Sequence, residues 1–390
     1  MNDGIVSISE RYIDKITNNG NLPAKPVQAP GKLNNRLDWK SVGANGWSAI
    51  SDSIFETIKK SNTFSFLTRF VSKATFSSGS LFYVSGALML DGKVILCPFN
   101  ATTSLIYDPN NDISTVPAGT YGVSASFSSA VLLPNGEILF IPRSTACRVY
   151  NPFTNTVRTI GGTPSPTGSL LSGVLMQDGR VYCIPVSSST ALIIDPINNT
   201  VKNAGGTYSG AFYLGYCGAL LPDGRIFITP NTAGISGWFY DPVNDTLSST
   251  KSTFPYTGQG CMLLPDETIL VTSATVNSSV MIFDWKKDVV KTSKTIFASG
   301  TTGGSTLLPD GTIMIHSIVG PNMIIYNPYS DTAITVPGTI NNGDFTNGTM
   351  LFDGRYVLFP RSGNSIVGYG IKGLSFSKEV LLSAHYNLRR

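Results

Sequence analysis

Seven times along this chain a short apolar run breaks at a tight-turn dipeptide and then resumes. The breaks are Asp91-Gly92, Asn135-Gly136, Asp178-Gly179, Asp223-Gly224, Asp266-Glu267, Asp310-Gly311 and Asp353-Gly354, at intervals of 44, 43, 45, 43, 44 and 43 residues. Asx-Gly between apolar runs is the strongest short-range hairpin signal, because a type I′ turn needs positive φ at both central residues. A second marker follows each break by 16–18 residues: Asp108-Pro109, Asn151-Pro152, Asp195-Pro196, Asp241-Pro242, Asp284-Trp285 and Asn327-Pro328, with Tyr369-Gly370 at that place in the seventh copy. Two fixed turns on one uniform period mean that the same supersecondary unit is built seven times.

Each unit reads as four strands. In the second copy they are Ser129–Pro134, Glu137–Ile141, Arg148–Tyr150 and Thr156–Ile160. Three positions before the first turn every copy is large and apolar: Leu88, Leu132, Leu175, Leu220, Leu263, Leu307 and Met350. Five positions before it every copy is small: Gly86, Ala130, Gly173, Gly218, Cys261, Ser305 and Gly348. Crowding of seven strands about one axis accounts for the small column, since a larger side chain would meet its symmetry mates. The predicted fold is all-β, a seven-bladed β-propeller with four antiparallel strands per blade. The propeller takes residues 81–390, and residues 1–80 form an N-terminal arm. For the outer strand of the seventh blade the chain offers Phe64–Val71 or Leu374–Val380. The second keeps the blade contiguous and is the expected one, with Phe64–Val71 packing elsewhere.

Blade length and strand order resemble kelch-type propellers, with the kelch double glycine kept in part at Gly161-Gly162, Gly205-Gly206 and Gly303-Gly304. The repeated L-L-P-[DN]-G-x-[IV] and [YI]-[DN]-P-x-x-[ND]-T units more specifically resemble propeller proteins encoded by tailed bacteriophages. That likeness spans residues 81–382 and implies a place on the virion.

The arm differs in kind from the blades. Val6–Ile16 and Ser48–Lys60 space their apolar residues as amphipathic helices do (Ile8, Tyr12, Ile16; Ile50, Ile54, Phe55, Ile58). Leu22–Lys32 between them carries Pro23, Pro26 and Pro30 and reads as an extended linker. Apolar residues that a closed ring does not need have to be buried somewhere. The arm is therefore expected to dock on other virion proteins, or on further copies of this chain in a homo-oligomer.

Composition narrows the chemistry. Twenty-eight basic and 24 acidic side chains leave a net charge of +4 with no Lys/Arg stripe, so nucleic acid is not an expected partner. No run reaches 18 apolar residues, so no membrane span is expected. The N-terminus shows no basic segment followed by an apolar one, and so no signal peptide. Only two histidines, His316 and His385, are present, and the five cysteines contain no C-x-x-C pair. Neither a metal centre, nor a cofactor, nor a disulfide framework is expected. Of 24 carboxylates, ten Asp sit in the two turn markers and four more (Asp112, Asp245, Asp288, Asp331) lie four residues past the second. These read as turn formers bonded to their own backbone.

Strand order puts both turn markers at one end of each blade. The loops between second and third strands, and the links to the next blade, open at the other end and vary in length and sequence. Binding residues concentrate on such loops. The candidate ligand contacts there are Tyr121, Arg143, Tyr208, Tyr213, Asn231, Tyr256, Asp344 and Arg361, with Phe212 and Asn342 beside them. Aromatic rings, amides and guanidinium groups suit sugar rings, glycan hydroxyls and carboxylates. Asp344 is the single carboxylate of these loops, whereas glycoside hydrolysis generally uses two. No catalytic residue is therefore assigned, and the expected role is a non-enzymatic virion protein contacting a host-surface glycan or protein. The alternative is a propeller-scaffold lyase or hydrolase acting on surface polysaccharide, with Asp344 or His316 at its centre.

Overall fold

The computed structural model describes residues 67–75 and, apart from short stretches in loops, residues 83–371. Its strands form seven four-stranded antiparallel sheets, and the described residues contain no helix. The innermost strands are Tyr83–Leu88, Phe127–Leu132, Leu170–Leu175, Gly218–Leu220, Gly258–Leu263, Thr302–Leu307 and Phe345–Met350. Each packs on the innermost strands of the two flanking blades, and Phe345–Met350 packs back on Tyr83–Leu88, so the ring closes. All seven small positions lie on or directly beside these strands, as the repeat requires.

Burial falls from the axis outward. Second strands such as Val94–Pro98, Ile138–Pro142 and Val181–Pro185 are buried at every residue, because each blade is covered on both faces by its neighbours. Fourth strands such as Thr200–Asn203 are mostly exposed. The core is accordingly divided into wedges between blades. One wedge joins Val131, Ile141 and Val149 of blade 2 to Leu175, Val181 and Ile194 of blade 3. Another joins Val357, Phe359 and Ile366 of blade 7 to Val94, Leu96 and Tyr107 of blade 1.

The small column answers to these wedges more than to the axis. A Cβ on Gly173 would stand 2.6 Å from Ile141 Cδ1 of the preceding blade, and one on Gly218 would stand 2.7 Å from Ile184 Cδ1. On Gly86 it would meet Phe359 at 3.0 Å, besides the Ile95 carbonyl at 2.7 Å. The partners Ile141, Ile184 and Phe359 all sit six residues after their own first turn. At these three joints glycine thus faces a large side chain of the preceding blade. Where the residue at that register is smaller, as at Cys97, the next blade carries Ala130, packed against the same wedge.

The hairpin turns depart from the type I′ expectation. In the described copies only the second residue of the dipeptide has positive φ: Gly92 (88°), Gly136 (84°), Gly179 (87°), Gly224 (91°) and Glu267 (66°). Gly92 N–H donates to the Met89 carbonyl at 3.0 Å, and Met89 N–H donates to the Lys93 carbonyl at 2.8 Å. This is a type I turn followed by a left-handed bulge residue, the three-residue hairpin solution. The Asx carboxylate or amide oxygen pins it by accepting the N–H two residues on, as from Lys93 to Asp91 Oδ1 at 3.1 Å. Glu267 adopts the same shape without glycine's freedom, at a cost of about 1 kcal/mol. Two local contacts offset that cost: Trp285 Nε1 donates to the Glu267 carbonyl at 2.7 Å, and Lys286 pairs with its carboxylate. The one break without Gly, Asp266-Glu267, and the Asp284-Trp285 marker without Pro therefore belong to a single arrangement.

Ring closure also departs from expectation. The seventh blade takes its outer strand from Leu67–Thr75, ahead of the first blade, and not from Leu374–Val380. Leu67 pairs with Ile371 and Val71 with Val367, antiparallel. The propeller therefore includes a segment assigned to the arm by sequence. The physical reason is the open edge of Ser365–Ile371: pairing it with the first element satisfies its backbone groups and ties the ring shut without any covalent link between its ends. Leu374–Val380 and the two candidate arm helices lie outside the described residues.

Candidate functional site

The blade ends are built by different chemistry. At the turn end, the second markers of the first six blades are Asx turns: Asp241 Oδ1 accepts the N–H groups of Val243 (2.9 Å) and Asn244 (3.3 Å), while Asn244 Nδ2 donates to Oδ2 at 2.7 Å. Asp108, Asp195 and Asn151 repeat this pattern. The amide of Asn244 is the largest influence holding the Asp241 carboxyl below its usual range, followed by burial, which opposes it, and by the two backbone donors.

Four residues past the marker the backbone turns left-handed in six blades: Asp112, Asn155, Asn199, Asp245, Asp288 and Asp331, with φ of 51–55°. Asx tolerates this region where other residues do not. Several of these side chains do more than the own-turn capping expected of them. Asp245 accepts hydrogen bonds from Gly205 N–H (2.7 Å) and Lys202 Nζ (3.1 Å) of the preceding blade, besides the Tyr240 hydroxyl (2.6 Å) of its own. Asn155 accepts from Ala118 N–H, Asp288 from Lys251 and Ser252, and Asp331 from Lys294. Strand twist of about 20–25° per strand brings the outer edge of one blade round towards the next, so its exit meets the neighbour's turn. Burial alone would raise the Asp245 carboxyl; its donors outweigh burial and hold it below the ordinary range. These acids are structural ties between blades.

At the variable end, the described residues bring one predicted contact into a pair. The Arg143 guanidinium lies over the Phe99 ring, 4.7 Å from its centroid, joining the second-to-third-strand loops of blades 1 and 2. Both residues sit eight positions after their own first turn, and Asn231 and Arg361 hold the same register in blades 4 and 7. Phe99 was not singled out from sequence, although its register marks it. Asn231 is half-buried and its Oδ1 accepts from the Thr232 hydroxyl at 3.1 Å. Tyr256 is half-buried against the wedge of blades 4 and 5.

Tyr208 is a correction to the candidate set. It is 4% exposed, its hydroxyl hydrogen-bonds that of Tyr182 at 2.5 Å, and its ring meets Trp238 edge-on at 5.5 Å. Burial pushes both phenols well up, so the pair stays protonated and belongs to the core between blades 3 and 4. Tyr121, Tyr213, Asp344, Arg361, Phe212 and Asn342 lie outside the described residues. His316 is placed by its backbone on the buried second strand Ile313–Ser317, paired with Gly304 and Met323. Among the described residues no group of three or more His, Cys, Asp or Glu could hold a metal ion, and no helix is long and apolar enough to cross a membrane.

No family model matches this chain, and no curated protein matches it in sequence. Solved structures do match in shape. Virginiamycin B lyase from Staphylococcus aureus superposes with a TM-score of 0.63 at 10% identity, over 78% of this chain and 98% of that one. The WD40 β-propeller domain of Doa1 gives 0.61 at 13% identity, over 79% and 98%. The extracellular domain of a putative one-component system from B. thetaiotaomicron gives 0.59 at 11% identity, over 76% of this chain and 40% of that one. An enzyme, a WD40 domain and a sensor domain have in common only the blades, and at such identities the likeness is one of fold: this chain is a seven-bladed β-propeller.

Proposed function

We propose that this propeller is a non-enzymatic binding and display protein of a phage virion, held by its N-terminal arm and offering its variable end to a host-surface glycan or protein. The repeat units that resemble tailed-phage propellers supply the setting. The observation that carries the binding reading is the division of labour between the two ends. Acidic side chains concentrate at the turn end, where Asp108, Asp241, Asp245, Asp284 and Asp288 are engaged by turn or inter-blade donors. The loops of the other end carry cationic, aromatic and amide groups, of which Arg143 stacked on Phe99 is the described example. A guanidinium backed by a ring suits an anionic or planar sugar face.

The test is binding of the purified chain to surface polysaccharide from a bacterial panel, with Arg143→Ala and Phe99→Ala as probes. Saturable binding weakened at least about tenfold by either change supports the reading. Undiminished binding by both variants overturns the assignment of that loop. Co-purification with intact particles, lost in a chain beginning at Asn62, tests the anchoring role of the arm.

The likeness to virginiamycin B lyase favours one second reading, an enzyme on the same scaffold. A histidine-to-alanine form of that lyase is described as catalytically inactive. In this chain the two histidines are His316 and His385. Depolymerisation of the bound polysaccharide, abolished by His316→Ala or Asp344→Asn, would replace the first reading with this one.

A further inference from the structure

Five cysteines are spread over the blades, and they fall into two groups. Cys97, Cys147 and Cys183 have no exposed surface, and burial raises all three thiols, that of Cys147 to about 12. Cys217 and Cys261 are half-buried and adjacent. They stand on or beside the innermost strands of blades 4 and 5, and Cys217 Sγ lies 3.6 Å from the Cys261 carbonyl oxygen. Thr229 fixes the backbone there: its Oγ1 donates to the Cys217 carbonyl at 3.1 Å and accepts from Cys217 N–H at 3.4 Å.

Register makes this pair specific. Cys217 is six residues before its turn and Cys261 five before the next. The same two positions at the other joints hold Ser85/Ala130, Ser129/Gly173, Ser172/Gly218, Gly260/Ser305, Gly304/Gly348 and Asn347/Gly86. At this register only the joint between blades 4 and 5 carries cysteine at both positions.

We propose that Cys217 and Cys261 form a redox-active dithiol that closes to an inter-blade disulfide by exchange with a small-molecule disulfide. The exchange can open at either sulfur; from Cys217 it runs in two steps. The Cys217 thiolate attacks one sulfur of R–S–S–R, forming a mixed disulfide, and the displaced R–S⁻ takes up the proton that Cys217 gave. Cys261 then deprotonates and attacks Cys217 Sγ, releasing the second R–S⁻ as a thiol. The protein dithiol loses two electrons and two protons, and R–S–S–R becomes two R–SH. Excess thiol reverses both steps.

The test uses the full chain and bis(2-hydroxyethyl) disulfide, a small neutral oxidant. After exposure under native conditions, free thiols are alkylated and the digest is mapped by mass spectrometry. The expected result is a cross-link between the peptides carrying Cys217 and Cys261, reversed by dithiothreitol, with Cys97, Cys147 and Cys183 labelled only after denaturation. Cys261→Ser and Cys217→Ser are each expected to stop at a mercaptoethanol adduct on the remaining cysteine of the pair. The proposal is overturned if Cys217 and Cys261 both stay alkylatable in the wild type, if the adduct persists there without resolving, or if the cross-link joins other cysteines.

Discussion

Blades 1 to 6 and blade 7 solve the same packing problem with different resources. In the first six, third and fourth strands are joined by a five-residue Asx turn whose last member is left-handed. In the seventh, the partner of Ser365–Ile371 is Leu67–Thr75, nearly three hundred residues away in the chain and joined to it without a connecting turn. Blade 7 is nonetheless held to blade 1 as firmly as other neighbours are held together: the wedge with Phe359 and Tyr107 is as fully buried as the others, and Arg355 donates to the Pro109 carbonyl across it at 2.8 Å. The lesson is that a repeated motif marks covalent joints, and a joint made by packing alone leaves no motif.

The severest way to break the comparison is to remove the closing strand. A chain beginning at Ser77 is expected to lose its monomeric fold, because the exposed edge of Ser365–Ile371 becomes a template for association. A chain beginning at Asn62 keeps Leu67–Thr75 and is expected to unfold cooperatively at the full-length midpoint. Size-exclusion chromatography and thermal denaturation separate the two, and a monomeric, cooperatively folded Ser77 form would show that the seam needs no fourth strand.

Next in size is the Gly173 position. Gly173→Leu is expected to destabilise by about 1–3 kcal/mol or more through overpacking against Ile141. The paired change Ile141→Ala should return part of that loss, with a coupling of about 0.5–3 kcal/mol in a denaturant double-mutant cycle. Strict additivity would mean that the small column does not answer to the neighbouring blade.

A smaller contrast separates ties from turns. Asp245→Ala removes an inter-blade acceptor and is expected to cost about 1–3 kcal/mol, against about 0.5–1.5 for Asp195→Ala, whose bonds stay within its own turn. Equal losses from the two would erase the distinction. The smallest effect is expected with pH. Asp108, Asp241, Asp245 and Asp284 all have lowered folded-state values. Their contribution is present above the unfolded value of about 3.9 and is lost as pH falls through the folded values below it. The melting midpoint should stay level from pH 7 to pH 5 and fall below about pH 4. A midpoint that declines already between pH 7 and pH 5 would point to some other titrating group.

Much of this architecture was legible in the chain. Asp91-Gly92 and its copies fixed blade number, strand order and the innermost strands, because turn chemistry is local and repeats. The closing strand was not legible in the same way, since LTRFVSKAT has no turn marker beside it. Its signal was negative: Tyr369-Gly370 stands where six other copies carry an Asx turn, because no fourth strand follows there in sequence. The ties made by Asp245 and Asp288 depend on strand twist, which no linear pattern records. Tyr208 looked like a surface aromatic because blade-junction and loop aromatics share one composition. Arg143 was found by residue type, but its partner Phe99 shows itself only once the blades are aligned by register.

The pairing of Leu67 with Ile371 has a mechanical consequence. The chain enters and leaves the propeller at one corner of one blade, so both ends of the ring lie at a single point on its rim. Tension between the two flanking segments would peel the seam one residue pair at a time from Leu67 inward, the weakest loading geometry for a sheet. Tension entering through the N-terminal side and leaving through the variable end would instead be shared across the wedges of neighbouring blades. A ring closed in this way would yield to being pulled apart by its ends and resist a pull shared among its blades.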